Sequence, residues 1–216
     1  LTSMMTYTMS ILMSLMMLSM IFVMVTMASA SAKRIAEVLD TETDLKNPAS
    51  PLREVPNGAV DFDHVSFKYS AKAERNALDD IDLHIPSGAT VGILGSTGSS
   101  KTSLIQLISR LYDATEGSVR VGGHDVREYD IEALRNQVAV VLQKNVLFSG
   151  TVAENLRWGA PDATDEELWA ACDAAQASEF LRQLPEGLEA RVERGGVNFS
   201  GGQKQRLCIA RALLKK

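Results

Sequence analysis

No Asp, Glu, Lys or Arg occurs between Leu1 and Ala32, although the whole 216-residue chain carries a net charge of −5. A stretch without charge is not a solvated surface helix. Elsewhere there is no block of basic residues, and this disfavours nucleic-acid binding, which needs an electrostatic footprint. Cysteine is scarce. Cys172 and Cys208 stand alone, with no CxxC spacing and no His cluster beside them. They read as reduced structural thiols rather than metal ligands or a disulfide. Methionine is missing from everything after Met27, because all nine lie between Met4 and Met27. In such a helix Met is a pliable apolar residue before it is a metal ligand.

What fills the uncharged stretch is an almost continuous apolar run from Tyr7 to Ala28, broken only by Ser and Thr. Its length is close to the ~20 residues that carry a helix across a bilayer. Ser10, Ser14 and Ser19 are tolerable, since a helix satisfies its own backbone and small hydroxyl residues suit helix contacts. Lys33-Arg34 follow at once and mark that end as cytoplasmic. Ala28-Ser29-Ala30 mimics a signal-peptide cleavage site, but no basic segment precedes the run, and the run is too long. A buried soluble helix would need a large core to hide in on every side. The helix is expected to run on through Leu39 with Lys33, Arg34 and Glu37. Residues 40–58 hold Pro48, Pro51, Pro56, Asn57 and Gly58 and read as a linker between 1–39 and a domain at 59–216. The chain begins at Leu1 rather than Met and stops at Lys216 inside a helical pattern, so a piece of a longer protein is expected.

In the domain, Val60, Phe62, Val65, Phe67 and Tyr69 fall in or near alternation, as do Ile81, Leu83 and Ile85, and both segments read as strands. Ala89 to Leu94 and Val138 to Leu142 are apolar runs of the kind expected of strands buried on both faces. After the first of these comes Gly95-Ser96-Thr97-Gly98-Ser99-Ser100-Lys101-Thr102, then a helical pattern through Leu111. A strand, a tight glycine loop and a helix make a phosphate site. Successive backbone N–H groups form a nest, and the helix N-terminus adds partial positive charge. Lys101 would reach the β- and γ-phosphates, and the Thr102 hydroxyl would take a Mg²⁺ position. The general pattern is G-x-x-x-x-G-K-[ST], and its glycine before lysine is Ser100 here; a Cβ at that point can cost affinity. Gln143 sits at the C-terminal tip of the second apolar run, where α/β sheets bind ligands.

Ile131 to Gln137 reads as a short helix. Thr164-Asp165-Glu166-Glu167 is a capping box for a helix through about Ala175, with Trp169 in its core. Ser200-Gly201-Gly202-Gln203 opens another helix with Leu207, Ala210 and Leu214 on one face, and its bare glycine amides make a second phosphate site. One chain has little use for two such distant sites, so the second is expected to serve a partner's nucleotide.

At this point the residues resemble the ATP-binding cassette (ABC) family, in particular exporters that fuse membrane helices to a nucleotide-binding domain. The resemblance covers nearly the whole chain. Gly95 to Thr102 resembles the Walker A loop, Phe199 to Gln203 the signature motif, and Gln143 the Q-loop glutamine. Tyr69 resembles the aromatic that stacks on adenine; spacing alone makes it a half-buried strand residue. Val192-Glu193-Arg194-Gly195 resembles a segment that contacts coupling helices, and Leu1 to Leu39 the last membrane helix.

The resemblance implies an α/β P-loop NTPase fold of ABC type, incomplete, after a transmembrane helix. It implies ATP and Mg²⁺. Tyr69, Gly95, Ser96, Thr97, Gly98, Ser99, Ser100, Lys101, Thr102, Ser103 and Gln143 would bind nucleotide, Thr102 and Gln143 would hold the metal, and Ser200, Gly201, Gly202 and Gln203 would contact ATP on a second ABC protomer, identical or not. The parent would be a multi-pass membrane protein with its nucleotide domain in the cytoplasm, touching lipid and a transported solute. The family pattern also expects a downstream strand with an aspartate, a catalytic glutamate and a histidine. His64, His84 and His124 precede the signature and read as surface or strand positions. This chain is therefore expected to bind ATP without appreciable hydrolysis, and to leave sheet edges bare. Two other readings remain open: the ATP-binding regulatory half of an asymmetric pair, and a soluble ABC ATPase, against which the membrane helix argues.

Overall fold

The computed structural model describes residues 1–215. It divides into two compact units, Leu1–Asp44 and the chain from Leu45 onward. The division falls inside the segment read as a linker.

The first unit is one helix, α1 (Thr2–Leu39), 38 residues long with no buried residue. It contains neither Gly nor Pro to interrupt it. Its hydroxyls turn back onto its own backbone. Thr8 Oγ1 donates to the Met4 carbonyl at 2.8 Å, Ser14 Oγ to Ser10 at 2.9 Å and Thr26 Oγ1 to Phe22 at 2.7 Å. Each side chain thus removes its own polar group from solvent demand, as hydrocarbon surroundings require. By length and composition α1 can cross a membrane.

In the second unit, β1 (Val60–Phe67) lies between β2 (Leu78–Ile85) and β3 (Glu116–Val121), and the two-residue β4 (His124–Asp125) completes an antiparallel sheet of order β2-β1-β3-β4. The imperfect alternation along β1 has a physical cause. The register shifts between Phe62 and Val65, and again before Phe67. His64 and Asp80 sit at these irregularities with φ of 48° and 47°. Each bulge inserts one residue and re-aims the next apolar side chain inward. Gly117, at φ +78°, allows the bulge, since a Cβ there would stand 2.3 Å from the His64 carbonyl oxygen. Phe62, Val65, Phe67, Val119 and Leu107 of helix α2 (Lys101–Ile108) are thereby buried in one core. The core extends to Leu134 of α3 (Ile131–Gln137) and to Tyr129, whose hydroxyl donates to the Val121 carbonyl at 2.7 Å.

Residues from Leu45 strap onto this core. Leu52 forms a parallel bridge with Tyr129. Asn47 donates to Asp130 at 2.6 Å, and the Val55 amide to Gln137 at 3.0 Å.

A second core is helical. Beside the short antiparallel pair β5 (Gly150–Thr151) and β6 (Arg191–Val192), it gathers α4 (Val152–Arg157), α5 (Asp165–Ala174) and α6 (Ser178–Leu181), which lie between those strands in the chain, and α7 (Gly201–Leu213) after them, around Leu156, Leu168, Leu181 and Leu207. The expected capping box at Thr164 and Glu167 is present, and equivalent boxes open α4 and α7. Leu207, Ala210 and Leu214 share the buried face of α7 as their spacing requires.

Two expectations fail. Ala89–Leu94 and Val138–Leu142 form no strands, and Leu94 is 96% exposed. An apolar run becomes a buried strand only beside a hydrogen-bonding partner on its flanks. Among the described residues neither run pairs with the other or with the antiparallel sheet. The α2 helix also ends three residues early, at Ile108 rather than Leu111, where Arg110 turns to a φ of 49°.

Candidate functional site

The glycine loop spans Gly95 to Ser100, and Lys101 is the first residue of α2. The loop is closed on itself. The Ser99 amide donates to the Ser96 carbonyl at 3.2 Å, and the Ser99 hydroxyl donates to the same oxygen at 2.9 Å. The Lys101 ammonium folds back to donate to the carbonyls of Gly95 at 2.9 Å and Ser96 at 2.7 Å, with Ser99 Oγ at 3.1 Å. A cation held in the mouth of a glycine loop, with the first amides of a helix beside it, favours an anion there. Thr102 is exposed on the first turn of the same helix.

Ser100 adopts φ 58° and ψ 22°, the left-handed region, with no side-chain cap bond. Only glycine reaches that region without steric penalty, and other L-residues lose about 1–2 kcal/mol. The departure from the usual glycine thus falls where the backbone asks for glycine.

Tyr69 lies two residues beyond β1 and is 56% exposed, more open than a half-buried strand position. It is brought to the loop's helix. Its hydroxyl is 2.7 Å from the Ser103 hydroxyl and donates to Gln106 Oε1 at 3.4 Å. Its ring meets Phe67 and Tyr112 edge-on, with centroids at 4.8 Å and 5.2 Å. Sequence reading missed Gln106 and Tyr112 altogether, and it gave Ser103 no link to Tyr69. The signal was available for two of these residues, since Ser103 and Gln106 are three apart on one helix and must face the same way.

Gln143 is exposed in irregular chain after the second apolar run, and its side chain makes no hydrogen bond among the described residues. It is not brought to the loop by any contact of that kind.

The second glycine phrase is differently held. Ser200 is the N-cap of α7. Its hydroxyl accepts from the Gln203 amide at 3.3 Å, and its own amide donates to Gln203 Oε1 at 2.8 Å. Gly201 and Gly202 open onto solvent, with no atom within 4 Å of where a Cβ would stand. Phe199, just before, is anchored in the helical core against Phe180. Farther along, Arg211 donates to the Asn155 carbonyl at 2.8 Å and to Asn155 Oδ1 at 3.1 Å, and Asn155 in turn donates to the carbonyls of Phe148 and Thr151. This buried polar knot was not foreseen. Burial holds the Arg211 guanidinium below its usual range, so the bonds it donates to Asn155 matter to it. Burial first, and the charge of Asp173 second, push the Cys172 thiol up to about 12, which fits an inert structural cysteine. The helix that follows the glycine loop, α2, and the helix α7 thus belong to different cores, each offering a helix N-terminus.

The ABC transporter family model matches residues 78–216. The chain belongs to the ABC transporter family. It is 45% identical, over its whole length, to an uncharacterized ABC transporter ATP-binding protein of Mycobacterium bovis, of which it covers 38%. A Staphylococcus aureus ATP-binding/permease protein, provisionally named for multidrug export, is 44% identical over 83% of the chain, which covers 31% of that protein. A solved bacterial Atm1-family ABC exporter with ATP bound superposes with a TM-score of 0.82 at 31% identity, covering 93% of this chain and 35% of the exporter. The chain therefore has the ABC nucleotide-binding fold, of the P-loop NTPase class, after a long apolar helix. It spans about a third of the length of the relatives it matches.

Proposed function

We propose that this chain is the ATP-binding part of an ABC exporter that couples ATP-driven closure of two protomers to movement of a solute across a membrane. The observation that carries this reading is the pairing of two exposed helix starts of different design. One is gripped by the Lys101 ammonium within a glycine loop. The other presents bare glycine backbone at Gly201 and Gly202. The exporter relatives and the uncharged stretch of α1 up to Ala32 support the membrane setting, with the nucleotide domain on the cytoplasmic side.

In this reading Tyr69 stacks the adenine. The amides of residues 95–102 and Lys101 hold the phosphates and neutralise their charge. Thr102 and Gln143 supply oxygen donors to Mg²⁺. Their chemistry fits that ion, which prefers hard oxygen ligands completed by water and phosphate; when bound it would offset charge on the β- and γ-oxygens. Ser200, Gly201, Gly202 and Gln203 close on the partner's nucleotide, and the helix dipole favours that γ-phosphate. None of these residues is a carboxylate or an imidazole able to accept a proton from water. The 216-residue chain alone is expected to bind ATP with little turnover. Ser100 in its left-handed conformation favours a second reading, a regulatory half of an asymmetric pair whose own site turns over slowly.

The test uses the full-length protein in membrane vesicles. Lys101→Ala should lower ATP affinity at least about tenfold, the loss of one charge-assisted phosphate contact. Gly202→Glu adds a carboxylate in open space at a helix start, where it does not disturb the fold. It should leave ATP binding intact and abolish ATP-dependent transport. Normal transport by Gly202→Glu would remove the partner-nucleotide role from α7.

A further inference from the structure

Tyr69 and the phosphate loop come from distant parts of the sequence, yet one hydrogen bond joins them. Ser103 is 4% exposed and lies two residues after Lys101, on the first turn of α2. Its hydroxyl and that of Tyr69 are 2.7 Å apart. A serine hydroxyl offers one donor and two acceptor positions, and so does the phenol for the donor at least. With Tyr69 donating onward to Gln106 Oε1, the Ser103 hydroxyl donates to Tyr69. Phe67 and Tyr112 meet the ring edge-on at 73° and 87° and bracket it without stacking on it. The bracket limits the ring's position, and the hydroxyl bond fixes its remaining swing.

From this geometry we infer that Ser103 is a positioning residue: through the Tyr69 hydroxyl it sets the tilt of the ring, and so the preference of the site for a nucleotide base over bare polyphosphate. The inference rests on the assignment of Tyr69 to the base. It makes one helical turn responsible for both ends of the ligand. Lys101 and Thr102 face the phosphates, while Ser103 holds the base platform at a fixed distance from them. A flat base stacks on a ring only if the ring is presented at the right angle, and an unfixed ring pays rotamer entropy on binding.

The experiment measures dissociation constants of ATP and of inorganic triphosphate for the full-length protein. Four variants are compared with the unaltered chain: Ser103→Ala, Tyr69→Phe, their combination and Tyr69→Leu. Ser103→Ala removes one buried oxygen and leaves a phenol that water can reach, and Tyr69→Phe keeps the ring, so both should fold. Each should weaken ATP roughly two- to tenfold, the range of one net hydrogen bond, with triphosphate unchanged. The combination should be no weaker than either alone, because both remove the same bond. Tyr69→Leu should weaken ATP further, again sparing triphosphate. Four results would overturn the inference. Equal loss of ATP and triphosphate in Ser103→Ala would place the serine on the phosphates. Additive losses in the combination would make the two hydroxyls independent. Unchanged ATP affinity in Tyr69→Leu would remove the base assignment itself, whereas a loss there with none in Ser103→Ala would leave that assignment standing and sink only the positioning role.

Discussion

The antiparallel sheet and the two apolar runs, Ala89–Leu94 and Val138–Leu142, draw on the same strand-favouring apolar residues and meet opposite fates. In β1, Phe62, Val65 and Phe67 are buried, and the strand is hydrogen-bonded on both flanks, to β2 and to β3. In the runs, Val91, Leu94, Val140, Val141 and Leu142 all remain exposed. Val138 packs at the margin of the sheet core, and the rest of the second run lines an open cleft beside Phe148 and Trp158. The difference is not propensity, since Val and Ile suit strands in both places. It is the presence of a hydrogen-bonding neighbour. The glycine loop leaves from an unpaired run, while the start of α7 leaves from a closed core. Of the two glycine phrases, the second is therefore the more firmly framed.

The most direct way to break this comparison is truncation on either side of it. Leu168 is fully buried in the helical core. In this chain Leu168→Ala should cost about 2–5 kcal/mol by denaturant titration, the usual range for a leucine cavity. Leu94→Ala should cost within about 0.5 kcal/mol, as exposed substitutions do. A comparable loss at Leu94 would mean that the first run is packed in solution.

Wherever an element closes on its own neighbours, the sequence made it legible. The Thr164 box, the α3 span and the buried face of α7 all depend on residues within a few positions. The glycine loop is local in the same way, a turn closed by bonds within six residues. The runs were misread because apolar content reports a wish for burial and not the partner that grants it. The Tyr69–Ser103 bond was unreadable for a related reason. It joins residues 34 apart in sequence, and only the packing of β1 against α2 brings them together. The bulges at His64 and Asp80 explain why the alternation in β1 looked ragged rather than strict.

Ser100 sharpens the comparison at the joint between loop and helix. Its φ of 58° is a cost that the packed regions do not relieve. Ser100→Gly removes the Cβ conflict but adds entropy to the unfolded chain, so the net gain should be about 0.5–1 kcal/mol. Thermal unfolding measures it. A loss of stability instead would mean that the serine side chain has a stabilising role that outweighs its backbone strain.

The smallest effect lies at the margin of the well-paired region, where β4 ends. Burial alone would raise the Asp125 pKa, but bonds from the Arg127 side chain at 2.6 Å and backbone amide at 2.8 Å outweigh it and hold the carboxyl below its usual range. A group with a lowered folded pKa binds its proton less readily when folded. Its stabilisation is present above the unfolded carboxylate pKa and disappears as pH falls through that value to the folded one. The pair is partly solvated, so the effect should be about 0.3 kcal/mol at neutral pH. Denaturant titrations of the unaltered chain and Asp125→Asn should therefore differ at pH 7 and converge under acid. A difference that persists at low pH would assign the role of Asp125 to turn geometry instead of charge.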